Sequence, residues 1–233
     1  MKQCIIICIT IICYTHINAQ DNPVANYLQQ VGEYAEIYNG KMEKNYNMVQ
    51  YANLPYYINS DFTETSIVYK KNHYPNQKAR LDLFREQLVV MPKGTQYAVE
   101  ICSSDVESVY MYGKTFVWLA PPKENKLKTG YYIHLAEGEK MQLFCKVSYS
   151  LWQKLQQNGA VSYFEPETRY YLRYDNRYYP IKNQSSFSKL FPRYKKQINK
   201  FAKDHQLNFK RLADNSFVSL AGYCEELLNS TGQ

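Results

Sequence analysis

The sequence predicts an α+β fold: an antiparallel β meander, arranged as a sandwich or a partly open barrel, with one helix before it and a helical tail after it. Three observations predict this. Between Pro55 and Tyr149, apolar residues alternate with period two in many short runs that are separated by turn residues and by no helical run. At Arg169 to Ile181, RYYLRYDNRYYPI, two runs of aromatic and basic residues meet at Asp175-Asn176, a pair that tolerates positive φ and suits a two-residue hairpin turn. From Ser186 onward the apolar spacing becomes helical. The aromatic composition agrees, with 24 Tyr against 10 Phe and 2 Trp. Tyrosine packs well on a pleated, half-buried surface and keeps its hydroxyl wet.

Taken in order, the first residues set the compartment. Lys2 supplies a positive n-region, Cys4 to Tyr14 an apolar stretch, and Ile17-Asn18-Ala19 a cleavage site before Gln20. The stretch is far shorter than the roughly 20 residues a membrane span needs, so residues 1–19 read as a secretory signal peptide and no span remains after cleavage. A lipoprotein with Cys13 as the modified residue is the competing reading. Bulky Ile12, where a small residue is expected, counts against it. The expected location is exported: periplasm or outer-membrane surface.

Cleavage removes Cys4, Cys8 and Cys13 and leaves Cys102, Cys145 and Cys224. Three cysteines are no disulfide scaffold, and none of the spacings is C-x-x-C. Each lies among apolar residues and is expected to be a buried small hydrophobe. About 214 residues remain, 233 less 19, enough for one large domain or two small ones.

Residues 20–185 read as a β-rich body. Asn22-Pro23 starts a helix whose apolar stripe (Val24, Tyr27, Leu28, Val31, Ala35, Tyr38) runs to Asn39-Gly40. Strands are expected at 66–70, 79–84, 87–91, 97–102, 106–112, 115–119, 131–135 and 141–149. The last alternates best, with Met141, Leu143, Cys145, Val147 and Tyr149 on one face. PPKENKLK, 121–128, reads as an exposed loop. Leu151, Trp152 and Leu155 before Asn158-Gly159 predict a short helix over 151–159. In the hairpin, Tyr170, Leu172 and Tyr174 share one face and Tyr171 and Arg173 the other.

Residues 186–233 read as a basic helical tail packed on the body, with helices over 192–205 and 214–228. Asp214 is the expected N-cap of the second, and Phe217, Val218, Ala221, Cys224, Leu227 and Leu228 form its apolar face. Charge is concentrated here. The formal +7 becomes +6 without Lys2. Arg169 to Arg211 holds twelve Lys or Arg against Asp175 and Asp204, or +10, so the remainder is −4. Tyr194, Ile198 and Phe201 share the inward stripe of the first tail helix, and Arg193, Lys196, Lys200 and Lys203 share the opposite face.

The N-terminal signal ending in NAQ, the strand segments RLDLFREQLVV and TGYYIHLAEGEKMQLF, the hairpin YYLRYDNRYYPI and the tail SFSKLFPRYKKQINKFAKDHQLNF together resemble a group of secreted proteins from Bacteroides-type Gram-negative bacteria. The similarity covers most of the mature chain. The group has no assigned activity, so the resemblance implies an envelope location and carries over no functional residue.

Motifs for catalysis are sparse. His73, His134 and His205 have no partner at ligand spacing, so no metal and no cofactor is expected. There is no G-x-S-x-G elbow of an α/β-hydrolase, no P-loop and no G-x-G-x-x-G, which disfavours nucleotide and hydride chemistry. Asp82 with Glu86, or Glu165 with Glu167, are the pairs available for a glycosidase. They are read instead as surface charges at strand ends. The expected function is therefore a non-catalytic binding or accessory module of the cell envelope. The alternative is a glycan-binding protein or carbohydrate-active enzyme using exposed Tyr/Trp and a carboxylate pair. Candidate binding residues are Tyr171, Arg173 and Arg177 on the hairpin, with Trp118 and Arg169 beside them, and Arg193, Lys196, Lys200 and Lys203 on the helix. The partners they imply are an envelope protein, a glycan or an anionic envelope surface. Nucleic acid is not expected, since no recognition motif is present.

Overall fold

The computed structural model describes residues 27, 31, 32, 35–46, 51–122, 127–156 and 159–230. The chain is α+β, with a single antiparallel sheet of eleven strands. These are β1 (Lys41–Met42), β2 (Thr63–Tyr69), β3 (Asn72–Asp82), β4 (Gln87–Met91), β5 (Val99–Glu100), β6 (Val106–Met111), β7 (Lys114–Leu119), β8 (Gly130–Glu137), β9 (Met141–Gln156), β10 (Gly159–Tyr174) and β11 (Arg177–Ile181). Their order across the sheet is β1-β5-β4-β3-β2-β6-β7-β8-β9-β10-β11. Among the described residues there is one sheet, so of the two expected arrangements the sandwich does not form. The sheet is open, since β1 and β11 lie at its two ends, but it is strongly curled.

One contact measures the curl. Glu86, in the β3–β4 turn, forms an ion pair with Lys146 of β9 and accepts from the Tyr131 N–H of β8 at 2.8 Å. From β4 to β9 is six strand steps, or roughly 29 Å across a flat sheet at about 4.8 Å per step. The sheet must therefore roll until its β3–β4 corner meets β8 and β9. Gly130 lets this happen. Its φ is +147°, and a Cβ there would run into both the Glu86 carboxylate and the Lys146 ammonium. Lys146 also donates to the Tyr131 carbonyl at 3.0 Å and lies 4.8 Å from the centre of the Tyr132 ring. Burial pushes the Glu86 carboxyl up and the Lys146 ammonium down, and in each case the partner's charge opposes the shift.

Inside the roll, Ile67, Tyr74, Leu81, Leu88, Val109, Phe116, Tyr131 and Ile133 form the main core. Beyond it, Met141, Leu143, Leu172 and Ile181 extend the same face under three helices: α1 (Gln184–Leu190), α2 (Lys195–Asp204) and α3 (Ala213–Asn229). Phe187, Ile198, Phe217 and Leu220 of these helices are at most 1% exposed. Thus the helices segregate at one end of the sheet, as the spacing predicts. A smaller cluster on the outer face joins Leu127, Tyr132 and Phe144 with Tyr171 and Tyr178.

The expected hairpin forms with the expected faces. Tyr174 pairs with Arg177, and Asp175 and Asn176 take φ of 48° and 56°. The segment 151–159 differs. Its described residues, 151–156 and 159, form no helix but belong to the far end of β9 and β10, whose ladder runs without a register shift from Tyr174↔Met141 to Gly159↔Gln156. Three apolar residues at helical spacing are a short sample, and strand pairing sustained over sixteen residues outweighs it. The tail also holds one more helix than expected. α1 is capped by Asn183, whose side chain accepts from the Ser185 N–H at 3.0 Å. The helix expected to begin at Pro192 starts as a 3₁₀ turn, Pro192–Tyr194, before α2. Asp214 lies inside the first turn of α3 and is no N-cap; it accepts from Tyr170 Oη at 2.7 Å and Lys114 Nζ at 2.9 Å instead. Its charge still suits the positive helix terminus.

The expected N-terminal helix falls largely outside the described residues. Its C-terminal part is not continuous, because Gly32 has φ +56°, Ala35 is extended, and Glu36–Tyr38 forms a separate 3₁₀ turn. Residues 1–19, expected to be a signal peptide, lie outside the described residues altogether.

Removing one member of the buried Glu86–Lys146 pair strands the other charge. Lys146→Met alone is expected to cost about 3–5 kcal/mol in urea unfolding, while Lys146→Met with Glu86→Gln recovers most of that loss. Equal losses for the single and double variants would show that the pair does not hold the curl.

Candidate functional site

A cleft of about 940 Å³ opens where β11 ends. Its walls come from three places. β10 gives Glu167 to Tyr171, and β11 with the residue after it gives Arg177 to Lys182. The third wall is Phe209, from the loop between α2 and α3, with Phe217 behind it at 4.9 Å between ring centres. Asn208 presents Phe209. Its carboxamide oxygen accepts from the N–H groups of Lys210 and Arg211 at 3.0 and 2.9 Å, and its own N–H donates to Ser216 Oγ. An Asx turn thus fixes the loop.

The cleft is aromatic inside and cationic at the rim. Arg177 and Lys182 are exposed. Arg169 meets Glu167 at 2.8 Å, but both side chains are more than half exposed, so water screens the pair and the guanidinium stays available. Tyr170 is held by Asp214, and its phenol is pushed up first by burial and then by that bond. Tyr171 is half-buried on the outer face, edge-on to Tyr132 at 6.0 Å.

The sheet edge beside the cleft is blunted. Along β10, Ser162 and Phe164 turn their backbone groups outward, to the Ala52 N–H and to the Asn53 side chain. Alternation then turns Pro166, Thr168 and Tyr170 outward as well, and Tyr170 pairs with Ile181. Pro166 has no N–H to offer. On β11 the outward residues are Tyr178 and Pro180, so a second proline sits on the outermost edge. Two prolines at such positions oppose strand addition.

The structure brings together some of the expected site residues and separates others. Tyr171 and Arg177 line the cleft. Arg173 does not; it donates to Gln142 at 2.8 Å and to Asn176 at 3.0 Å, beside a smaller hollow of about 170 Å³. Trp118 is also excluded, because it faces the main core and packs on Tyr131 at 5.0 Å, opposite to Tyr171. Arg193, Lys196, Lys200 and Lys203 are exposed, and among the described residues none forms an ion pair. Lys203 borders a second hollow of about 360 Å³ that shares Phe209 with the cleft. The sequence reading missed Lys182, Tyr179, Phe209 and Phe217 as cleft residues. Tyr179 lies within the alternation of the hairpin, but Phe209 had no signal beyond one aromatic residue in a polar loop.

Two of the proposed carboxylates are structural. Asp82, 2% exposed, accepts from Tyr46 Oη at 2.7 Å and from the N–H groups of Phe84 and Arg85. Burial pushes its carboxyl up. With Glu86 committed to Lys146, neither is the surface charge that the sequence suggests. Glu165 and Glu167 are exposed on β10. The histidines are apart: His73 contacts Ser66, His134 lies 2.9 Å from Glu137, and His205 contacts the Phe201 carbonyl. Among the described residues no three His, Cys, Asp or Glu side chains gather to hold a metal ion.

No family model, no curated protein and no solved structure matches this chain.

Cys145 and Cys224 are buried, and burial pushes both thiols up to about 12. Cys102 is exposed, contrary to the expectation from its apolar neighbours. Peptide mapping after iodoacetamide treatment at pH 8 is expected to find Cys102 modified in the native chain, with Cys145 and Cys224 modified only after denaturation. Labelling of all three at one rate would contradict the described packing.

Proposed function

We propose that this chain is an exported cell-envelope protein that acts by binding, without catalysis, and that it holds an anionic glycan of the envelope in the cleft at the end of β11. The observation that carries this reading is the cleft's composition. Tyr179 and Phe209 on the helix side of the hairpin, and Tyr171 and Tyr178 on its outer face, line the cleft and offer rings on which sugars stack, and Arg169, Arg177 and Lys182 at the rim offer donors and charge to carboxylate or phosphate substituents. The +10 segment around it extends the positive field over α2, which raises the encounter rate with a polyanion. Export rests on the signal pattern at 1–19 and on the resemblance to secreted Bacteroides-type proteins.

The alternatives have less support. A carbohydrate-active enzyme needs two carboxyls facing one sugar site. Asp82 and Glu86 are taken up by structural partners, and Glu167 is paired with Arg169 in open solvent. An accessory that pairs its sheet edge with another protein is opposed by Pro166 and Pro180.

The test is retention on an acidic polysaccharide, followed by calorimetry. Arg177→Ala with Lys182→Ala is expected to weaken binding about tenfold, since each exposed charge contributes up to about 1 kcal/mol. Lys196→Gln, Lys200→Gln and Lys203→Gln together are expected to weaken it further. Thermal melting is expected to stay unchanged in both variants, and wild-type binding to fall between low and physiological salt. Salt-independent binding, or full binding by both variants, would overturn the reading.

A further inference from the structure

Phe209 has a hollow on each side of it. One is the cleft, and the other is the hollow of about 360 Å³ whose polar lining is Gln184 of α1, Asn199 and Lys203 of α2, and Gln206 and Asn208 from the loop that follows. Lys182 belongs to the first and Gln184, two residues on, to the second. Their chemistry differs. The cleft has three cations at its rim, whereas this hollow has four carboxamides and one cation. Two of the carboxamides are oriented by the fold. Asn199 Oδ1 accepts from Ser188 Oγ at 3.1 Å, and Asn208 Oδ1 accepts from the Lys210 and Arg211 N–H groups. Each keeps its amino group for an outside acceptor. Among the described residues, the side chains of Gln184 and Gln206 bond to no protein group at all.

Gln206 is held where a glutamine is not favoured. The Leu207 N–H reaches the Ala202 carbonyl at 3.0 Å and the Gln206 N–H reaches the Lys203 carbonyl at 3.1 Å, so α2 ends in a Schellman motif. That motif needs a left-handed residue at Gln206, whose φ is +49°. Glycine suits the position best, because a Cβ there crowds the next carbonyl. The exposed glutamine side chain makes no contact that offsets this strain, yet it is the side chain that lines the hollow. The electrostatics select the ligand. The end of α2 brings a partial negative charge to the hollow, which opposes a carboxylate or phosphate and suits hydroxyl donors. A carboxamide carries donor and acceptor side by side, as a pair of neighbouring sugar hydroxyls does.

We infer that the hollow is a second subsite, which takes the neutral sugar next to the acidic sugar held in the cleft. The inference rests on the glycan reading of the cleft and narrows it: the ligand is a heteropolysaccharide in which acidic and neutral residues adjoin. An acidic sugar on Tyr179 and Phe209 turns its charge to Arg177 and Lys182. The chain then passes the Phe209 ring, and the hydroxyls of the next sugar meet the carboxamides of Gln184, Asn199 and Gln206. Lys203 offsets the negative helix end beside it without giving the hollow the charge of the cleft.

The test titrates the intact chain with glucuronic acid, with a hyaluronan tetrasaccharide, whose acidic and neutral sugars alternate, and with tetragalacturonate, which is acidic at every sugar. Gln184→Ala with Gln206→Gly is expected to lower the hyaluronan affinity about tenfold, the worth of two hydrogen bonds, and to leave glucuronic acid and tetragalacturonate unchanged. Gln206→Gly alone is expected to weaken hyaluronan binding about threefold while raising the melting temperature by roughly 2 °C, because the left-handed position is relieved. A side chain that served the fold would give the opposite shift, and a fall in melting temperature would overturn the inference. So would an unchanged hyaluronan affinity in the double variant, or an equal loss for all the probes; either leaves the cleft reading in place. If the wild type binds none of the probes, the cleft reading falls and the subsite with it.

Discussion

The contact between Glu86 and Lys146 converts a long ribbon of strands into a body with an inside. Eleven strands laid flat would expose one face of the sheet to water along its length. Rolling it encloses the residues from Ile67 to Ile133 that make the main core. The pair does this at a charged contact whose ionised state burial disfavours on both sides, as the directions of the two shifts show. Its value is therefore geometric. An ammonium with three donors and a carboxylate with two acceptors can be satisfied in one arrangement, whereas a greasy contact at the same corner would tolerate sliding. Glu86 meets the Tyr131 N–H, Lys146 meets the Tyr131 carbonyl, and Gly130 clears the space between them.

That constraint was invisible in the sequence, and the reason is physical. Glu86, Gly130 and Lys146 share no spacing that a local period could reveal, because the curl that joins them is a property of the whole sheet. What could be read was local. Asp175-Asn176 announced its turn through the backbone freedom of the two residues, and β4 falls on the expected 87–91 because QLVVM lies between turn residues. The segment 151–159 shows the limit of such reading. Leu151, Trp152 and Leu155 satisfy a helical template by spacing, yet the pairing of β9 with β10 continues through them. The cleft was half legible. Tyr171 and Arg177 lie on the hairpin that the alternation exposed, while Phe209 reaches the same cleft from a loop more than thirty residues away in the chain.

The hairpin β9–β10 gives the molecule two ends. At one, Met141, Leu143 and Leu172 lie under the helices that carry the positive field. At the other, twelve ladder positions on and roughly 40 Å away at about 3.3 Å per residue, stands Leu155. The densest charge and the most exposed apolar side chain thus lie toward opposite ends of one ribbon. Asp214 ties the two halves of the tail end together by joining Tyr170 of β10 and Lys114 of β7 to the first turn of α3.

The strand order has a further consequence, for how the chain acquires its shape. From β6 to β11 each strand pairs with its sequence neighbours, and so do β2 to β5. The two stacks meet at one seam, β2 against β6, where strands separated by β3, β4 and β5 must find each other. Each stack zips by closing short loops, which is quick, and the seam waits on the closure of a loop of more than thirty residues. The seam carries a register shift between Val68 and Tyr69, so its ladder is interrupted at the place where the slow step ends. Amide exchange along β2 and β6 would therefore report the opening of the whole body, while the outer hairpins breathe on their own.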